Sequence, residues 1–191
     1  MEYIRERENM LKNLVKKFFG SQEAVSTGIE TSNVLSLYTL QHAEHFKCFS
    51  STDESEMFID LNSVRSVEHN PPNYTLLFNI YLVEYKKKHT IEWVVTADYD
   101  YEYSVSSIVK KENLKDCSRE QAKPIIVKHK EQESGIKGIA RATKYYDFDG
   151  NLETDLKAMN VNVKHEGAFE YGDPFYTAAH YAFDRAYHVF F

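Results

Sequence analysis

Asp98, Asp100 and Glu102 alternate through the stretch TIEWVVTADYDYEY, residues 90–103. On a strand that spacing puts all three carboxylates on one face, about 6.8 Å from one to the next. So arranged they can hold a cation or simply face water. A second acidic run, Asp147, Asp149, Asn151 and Glu153 in DFDGNLE, has a calcium-loop look. It fails that pattern in detail. With Gly150 at the sixth loop position, Tyr145 falls at the first and Leu156 at the twelfth, where ligating carboxylates are needed. A solvated strand face and an Asp-Gly turn account for both runs.

Glu84-Tyr85-Lys86 is an E-x-K on an apolar segment, with Asp60 on a preceding one. An Asp with such a pair can hold Mg²⁺ and position water for hydrolysis of a phosphodiester. The trio Asp60, Glu84 and Lys86 is therefore the alternative functional reading, a metal-dependent hydrolase or nuclease. The net charge of −6 opposes it, because a polyanion is held by Lys and Arg that displace counterions. The basic runs are short, and nucleic acid is not an expected partner.

His42 and His45 are three apart, and His180, Asp184 and His188 share the C-terminal segment. On a helix His180 and His188 would be about 12 Å apart, too far for one metal ion. No G-x-S-x-G, G-x-G-x-x-G or G-x-x-x-x-G-K motif is present, and the two cysteines, Cys48 and Cys117, form no C-x-x-C. No enzyme, cofactor or metal is implied.

The positions that could carry this chemistry must be held by strands. In residues 90–103 Ile91, Trp93, Val95, Ala97, Tyr99, Tyr101 and Tyr103 alternate with polar residues, which predicts a long strand with one dry face. Tyr74 to Lys88 is apolar at both parities, as in a central strand covered on both sides. With Met57–Val67 these segments form a meander joined through EHNPPN, residues 68–73, since prolines break ladders. Leu35 to His42 and Phe46 to Ser51 read as one or two strands, Pro124 to His129 as another, and Ile136 to Phe148 as another. Asp149-Gly150 is a type I′ hairpin signal, with a return through Leu156. Residues 104–123 are ambiguous and 158–171 irregular. Asp173-Pro174 opens a C-terminal helix whose Tyr176, Ala179, Phe183, Ala186, Tyr187 and Phe190 form an apolar stripe.

The N-terminal part, residues 1–33, is an amphipathic helix over 2–19 followed by a polar linker. Residues 34–191 form a single domain. No apolar run approaches the ~20 residues that cross a bilayer, so no integral membrane span is expected. The chain's start has no signal-peptide pattern, which points to the cytoplasm.

The segment MFIDLNSVRSV with Asp60 and Ser63, two long strands, and KYYDFDGNL with Tyr146, Asp147, Gly150 and Asn151 together resemble the bacterial surface-adhesin E-like proteins. The resemblance covers roughly residues 36–190. It implies an exported, non-enzymatic α+β domain with an antiparallel sheet and flanking helices, in a family associated with adhesion to host matrix proteins. Exported relatives begin with a signal peptide or lipobox, and this chain begins with an acidic amphipathic helix.

The expected fold is thus α+β, a mostly antiparallel sheet of about five or six strands with N- and C-terminal helices packed on it. The expected function is a binding or interaction module. Its protein or small-ligand partner would sit in an aromatic cleft of Trp93, Tyr99, Tyr101, Tyr103, Phe183 and Tyr187, where the strand end meets the last helix. Nothing in the residues fixes the oligomeric state.

Overall fold

A computed structural model of the chain describes residues 35–191. The helix and linker expected over residues 1–33 lie outside the described residues.

The centre is the expected meander, β2 (Ser55–Asn70), β3 (Asn73–Glu84) and β4 (His89–Asp100). β3 and β4 pair without interruption from Asn73 opposite Asp100 to Glu84 opposite His89. β1 (Phe46–Ser51) flanks β2, and β5 (Ile136–Asp147) flanks β4. β6 (Leu152–Asp155) and β7 (Lys164–Ala168) share the far edge of β5. Every pairing is antiparallel, and the order is β1-β2-β3-β4-β5-β6 with β7 beside β5. β7 falls in the stretch whose sequence looks irregular. It is an edge strand with no buried residue in its pairing segment, so no alternation marks it.

The dry ladder lies where its spacing puts it. Ile91, Trp93, Val95, Ala97 and Tyr99 are all at most 1% exposed. They face α4 (Pro174–Tyr187), whose Asp173 N-cap accepts a hydrogen bond from Phe175 N at 2.6 Å. Ala178, Ala179 and Ala182 are fully buried against the sheet, and small side chains let the helix axis come close. Tyr99 reaches across the core and donates its hydroxyl to Ala179 O at 2.8 Å. On the opposite sheet face Phe58, Tyr81 and Val83 are covered by Leu40 of α1 (Leu37–His42).

Several expectations change. The strand ends at Asp100, not Tyr103. Tyr101–Tyr103 form one 3₁₀ turn, because the Asp100 carboxylate accepts from Glu102 N and caps it. Asp98, Asp100 and Glu102 therefore do not share one strand face. Leu37–His42 is a helix rather than a strand; Ser36 caps it by accepting from Thr39 N. Residues 124–129 lie inside α3 (Arg119–Gln132), which follows α2 (Val105–Lys111). A run of β-branched residues after a proline suggests a strand. The reciprocal capping box of Ser118 and Gln121 instead starts a helix that carries Pro124 within it. At the Asp149-Gly150 hairpin only Gly150 has positive φ, 89°, so the turn is not type I′. Phe148-Asp149-Gly150 is a three-residue loop with the left-handed residue last. Asp147 Oδ1 closes it by accepting from the backbone N–H groups of Asp149 and Asn151.

Gly138 on β5 marks the tightest strand contact. A Cβ there would lie 2.1 Å from Thr96 O and 3.0 Å from Ala97 Cα on β4. Since both are backbone atoms in the centre of a ladder, the strands would have to part. Gly138→Ala is expected to cost about 2 kcal/mol or more, read as a lower urea midpoint with unchanged slope.

Candidate functional site

The six aromatic residues named from the sequence do not line one open cleft. Phe183 is a hub: its ring centroid is 4.9 Å from Tyr99, 5.4 Å from Tyr74, 4.8 Å from Tyr187 and 6.2 Å from Tyr101. Trp93, Tyr99 and Phe183 are each 1% exposed, so their rings are sealed in the core. Trp93 packs against Phe175, 5.9 Å away. Tyr101 and Tyr187 are half-buried at the edge of this cluster. Tyr103 is the last residue of the 3₁₀ turn, with Lys111 Nζ 5.8 Å from its ring centre. The strand end does meet the last helix, but as core packing.

Asp60, Glu84 and Lys86 are also held apart. Asp60 sits opposite Asn79, whereas Glu84 lies opposite Ser55, five positions along the sheet or about 17 Å. Glu84 binds Lys87 at 3.1 Å and His89 at 2.6 Å. Burial works to raise its carboxyl pKa, but the His89 hydrogen bond and the Lys87 charge outweigh that and hold it below the usual range. Lys86 points to Glu54, 2.7 Å away. Among the described residues no group of three or more His, Cys, Asp or Glu is placed to hold a metal ion. Cys48 and Cys117 are exposed free thiols. No described helix is long and apolar enough to cross a membrane.

The residues that carry the family resemblance shape backbone. Ser63 donates to Asp60 O at 2.6 Å and accepts from Asn79 N at 2.8 Å, across a break in the β2–β3 register between Asp60 and Arg65. Asp147 and Asn151 lock the β5–β6 turn through backbone and side-chain bonds.

A concavity lies elsewhere, at the end of the sheet where β3, β4 and β5 meet the C-terminus of α3 and the connection from β7 to α4. It holds about 640 Å³ and is walled by the carboxylates of Glu68, Asp98, Asp100, Glu131, Glu133 and Glu170. Tyr74, Tyr99, Tyr171, Lys137 and Lys130 are among the other residues that line it. Asp98 is oriented by Thr75, whose hydroxyl donates at 2.7 Å. Strand spacing brings Asp98 here, opposite Thr75 on β3 and Lys137 on β5. Glu68 comes from the end of β2 and Asp100 from the end of β4, Glu131 and Glu133 come from the C-terminal end of α3, and Glu170 follows β7.

Lys130 is the unusual group. It is 1% exposed and donates to Ser134 O at 3.0 Å. Its Nζ lies 4.2 Å from the centre of the Phe191 ring and 5.8 Å from that of Tyr176. No carboxylate of the described residues pairs with it within 4.0 Å. Burial disfavours the ammonium and pushes its pKa down from 10.5 to about 7. Sequence reasoning passed over it because residues 124–129 read as a strand. A usable signal was present: Ala122, Ile126 and Lys130 recur every four residues, a helical stripe that ends in a lysine.

No protein-family model, curated protein or solved structure matches the chain.

Proposed function

We propose that the chain is a non-enzymatic binding module whose acidic cleft takes a small organic cation. One observation carries the reading: six carboxylates and two lysines border a single cavity of about 640 Å³. One of those lysines, Lys130, has its ammonium disfavoured near pH 7, so the balance is more negative than the formal count. The volume suits a small ligand, and pockets of this size bury most of such a molecule. A bound ammonium would exchange water for carboxylate oxygens and could lie against the tyrosine faces that line the cleft. The sequence expectation of a protein or small ligand at an aromatic site becomes narrower here. The accessible rings are Tyr74 and Tyr171, and the charge around them selects a cation.

Calorimetric titration with spermidine at low ionic strength tests this. Saturable binding that weakens with added salt is the expected result. Glu131, Glu133 and Glu170 are exposed, so replacing all three by glutamine leaves the core intact. At about 0.5–1 kcal/mol for each surface charge, the triple variant should bind roughly tenfold or more weaker. Absence of saturable binding, or equal affinity in the variant, would sink the reading.

A further inference from the structure

A second cavity, of about 510 Å³, lies between α3 and α4, and the cation reading does not use it. α3 is 14 residues long, yet Lys130 is the only one of them that is buried. Ala122, Ile126 and Val127, which line the cavity, are half-buried. They recur at helical spacing, so they form one stripe that the fold leaves incompletely covered. Across the gap α4 presents Tyr176, Thr177, His180 and Tyr181, again at helical spacing. An apolar stripe held off its partner helix forfeits contacts that a filled interface would make. The charge here is as one-sided as in the acidic cleft, with the sign reversed. Among the described residues no Asp or Glu lines this cavity, although the chain carries a net charge of −6. Its exposed cations are Arg119 and Lys123, one turn apart on α3, and neither is ion-paired with a described residue.

We infer that this cavity binds a small amphipathic carboxylate, with its apolar tail along the stripe of Ala122, Ile126 and Val127 and its carboxylate at Arg119 and Lys123. Order along α3 sets that polarity. Arg119 opens the helix, and Ile126 and Val127 follow about two turns later, roughly 10–12 Å along the axis. An extended medium-chain acid spans that distance. A planar guanidinium holds a carboxylate through two parallel hydrogen bonds, and the neighbouring ammonium adds charge. The tail displaces water from the half-covered stripe and from the rings of Tyr176 and Tyr181, and removing that apolar area from water drives binding. His180 contributes ring surface to the same wall, stacked 6.4 Å from Tyr176 and 5.6 Å from Phe190, centroid to centroid. Two cations with no carboxylate beside them select against a cationic amphiphile. Lys130 plays no direct part: its Nζ is engaged by Ser134 O and lies over the Phe191 ring.

Titration of the isotope-labelled full chain with sodium octanoate at neutral pH, followed by amide NMR shifts, tests this. Saturable shifts at Ala122, Ile126 and Thr177 are expected, with a dissociation constant on the order of 1 mM or below for so small a ligand. Amides of Asp98 and Lys137, which line the acidic cleft and not this cavity, should stay still. 1-Octanol carries the same tail without the charge and should bind about tenfold more weakly. Arg119→Gln with Lys123→Gln, both at exposed positions, should weaken octanoate by about the same factor and leave 1-octanol unchanged. Absence of saturable shifts in the native protein overturns the inference, and that arm needs no variant to fold. So do shifts confined to other surfaces, equal affinity for octanoate and 1-octanol, or undiminished octanoate binding in the double variant. Spermidine binding in the acidic cleft is read separately, and either site can fail without the other.

Discussion

Lys130→Met is expected to abolish a rise in stability that the native protein shows between about pH 7 and pH 10. The unfolded lysine keeps its proton up to about 10.5, whereas the folded one gives it up near 7. Between those values the unfolded chain binds more protons, so the folded state gains stability as pH increases. Across the whole window the gain is roughly 4 kcal/mol at 1.36 kcal/mol per pKa unit. Methionine has a similar length and no charge to desolvate, so the variant should be the more stable protein at pH 7 and flat above it. Urea melts at pH 7, 8, 9 and 10 on both proteins give the comparison. Parallel slopes in the two would mean that Lys130 keeps its proton in the fold.

Other groups bound that window. Burial, then Glu56, pushes Tyr85 up to about 12, and burial, then Glu84, does the same to Tyr145. Above about pH 10 the unfolded tyrosines lose protons that the folded ones keep, so stability falls there. Asp173 has the opposite sign from a salt-bridged acid. Burial raises it from 3.8 to about 6, so its contribution declines as pH rises through that interval. Asp147 and Glu84 are held low, and what they contribute is lost as pH drops through their folded range. The native profile should therefore dip near neutrality and rise on the alkaline side before it falls.

The second large effect is at Phe183. Its ring touches Tyr74, Tyr99, Tyr187 and Phe191, all within 5.4 Å centroid to centroid. Phe183→Ala leaves a cavity among rings that cannot collapse without moving α4, and a loss of about 3–5 kcal/mol is expected. Circular dichroism melts and urea midpoints measure it. Spermidine affinity should be unchanged below the variant's melting range, because Phe183 does not line the acidic cleft. An unchanged melting point with loss of ligand would restore the aromatic cleft as the site.

The sequence exposes what alternation exposes. Trp93 and its odd-numbered neighbours announce a buried strand face, and Asp173-Pro174 announces α4; both are where the pattern puts them. Capping carries less weight in a pattern search, so α1 and α3 look like strands although Ser36 and Ser118 mark helix starts. The acids of the cleft come from different elements. Glu68, Asp98, Glu131 and Glu170 share no spacing, and only the closing of the sheet against α3 brings them together. The aromatic residues were visible as a group but not as a core, because composition does not say which rings are sealed behind a helix. Asp60, Glu84 and Lys86 match a short motif in the string, and the strand register separates them.

Lys130 lines two cavities, the acidic cleft and one between α3 and α4, and a shared wall transmits. A cation seated in the acidic cleft makes an ammonium at Lys130 still less favourable, so it favours the neutral amine. An anion in the cavity between α3 and α4 would act in the opposite sense. Coupling free energies are reciprocal, so whatever occupancy of one compartment does to the other is returned in equal measure. Occupancy of either cavity would thereby be felt at the other through the protonation of one side chain they share.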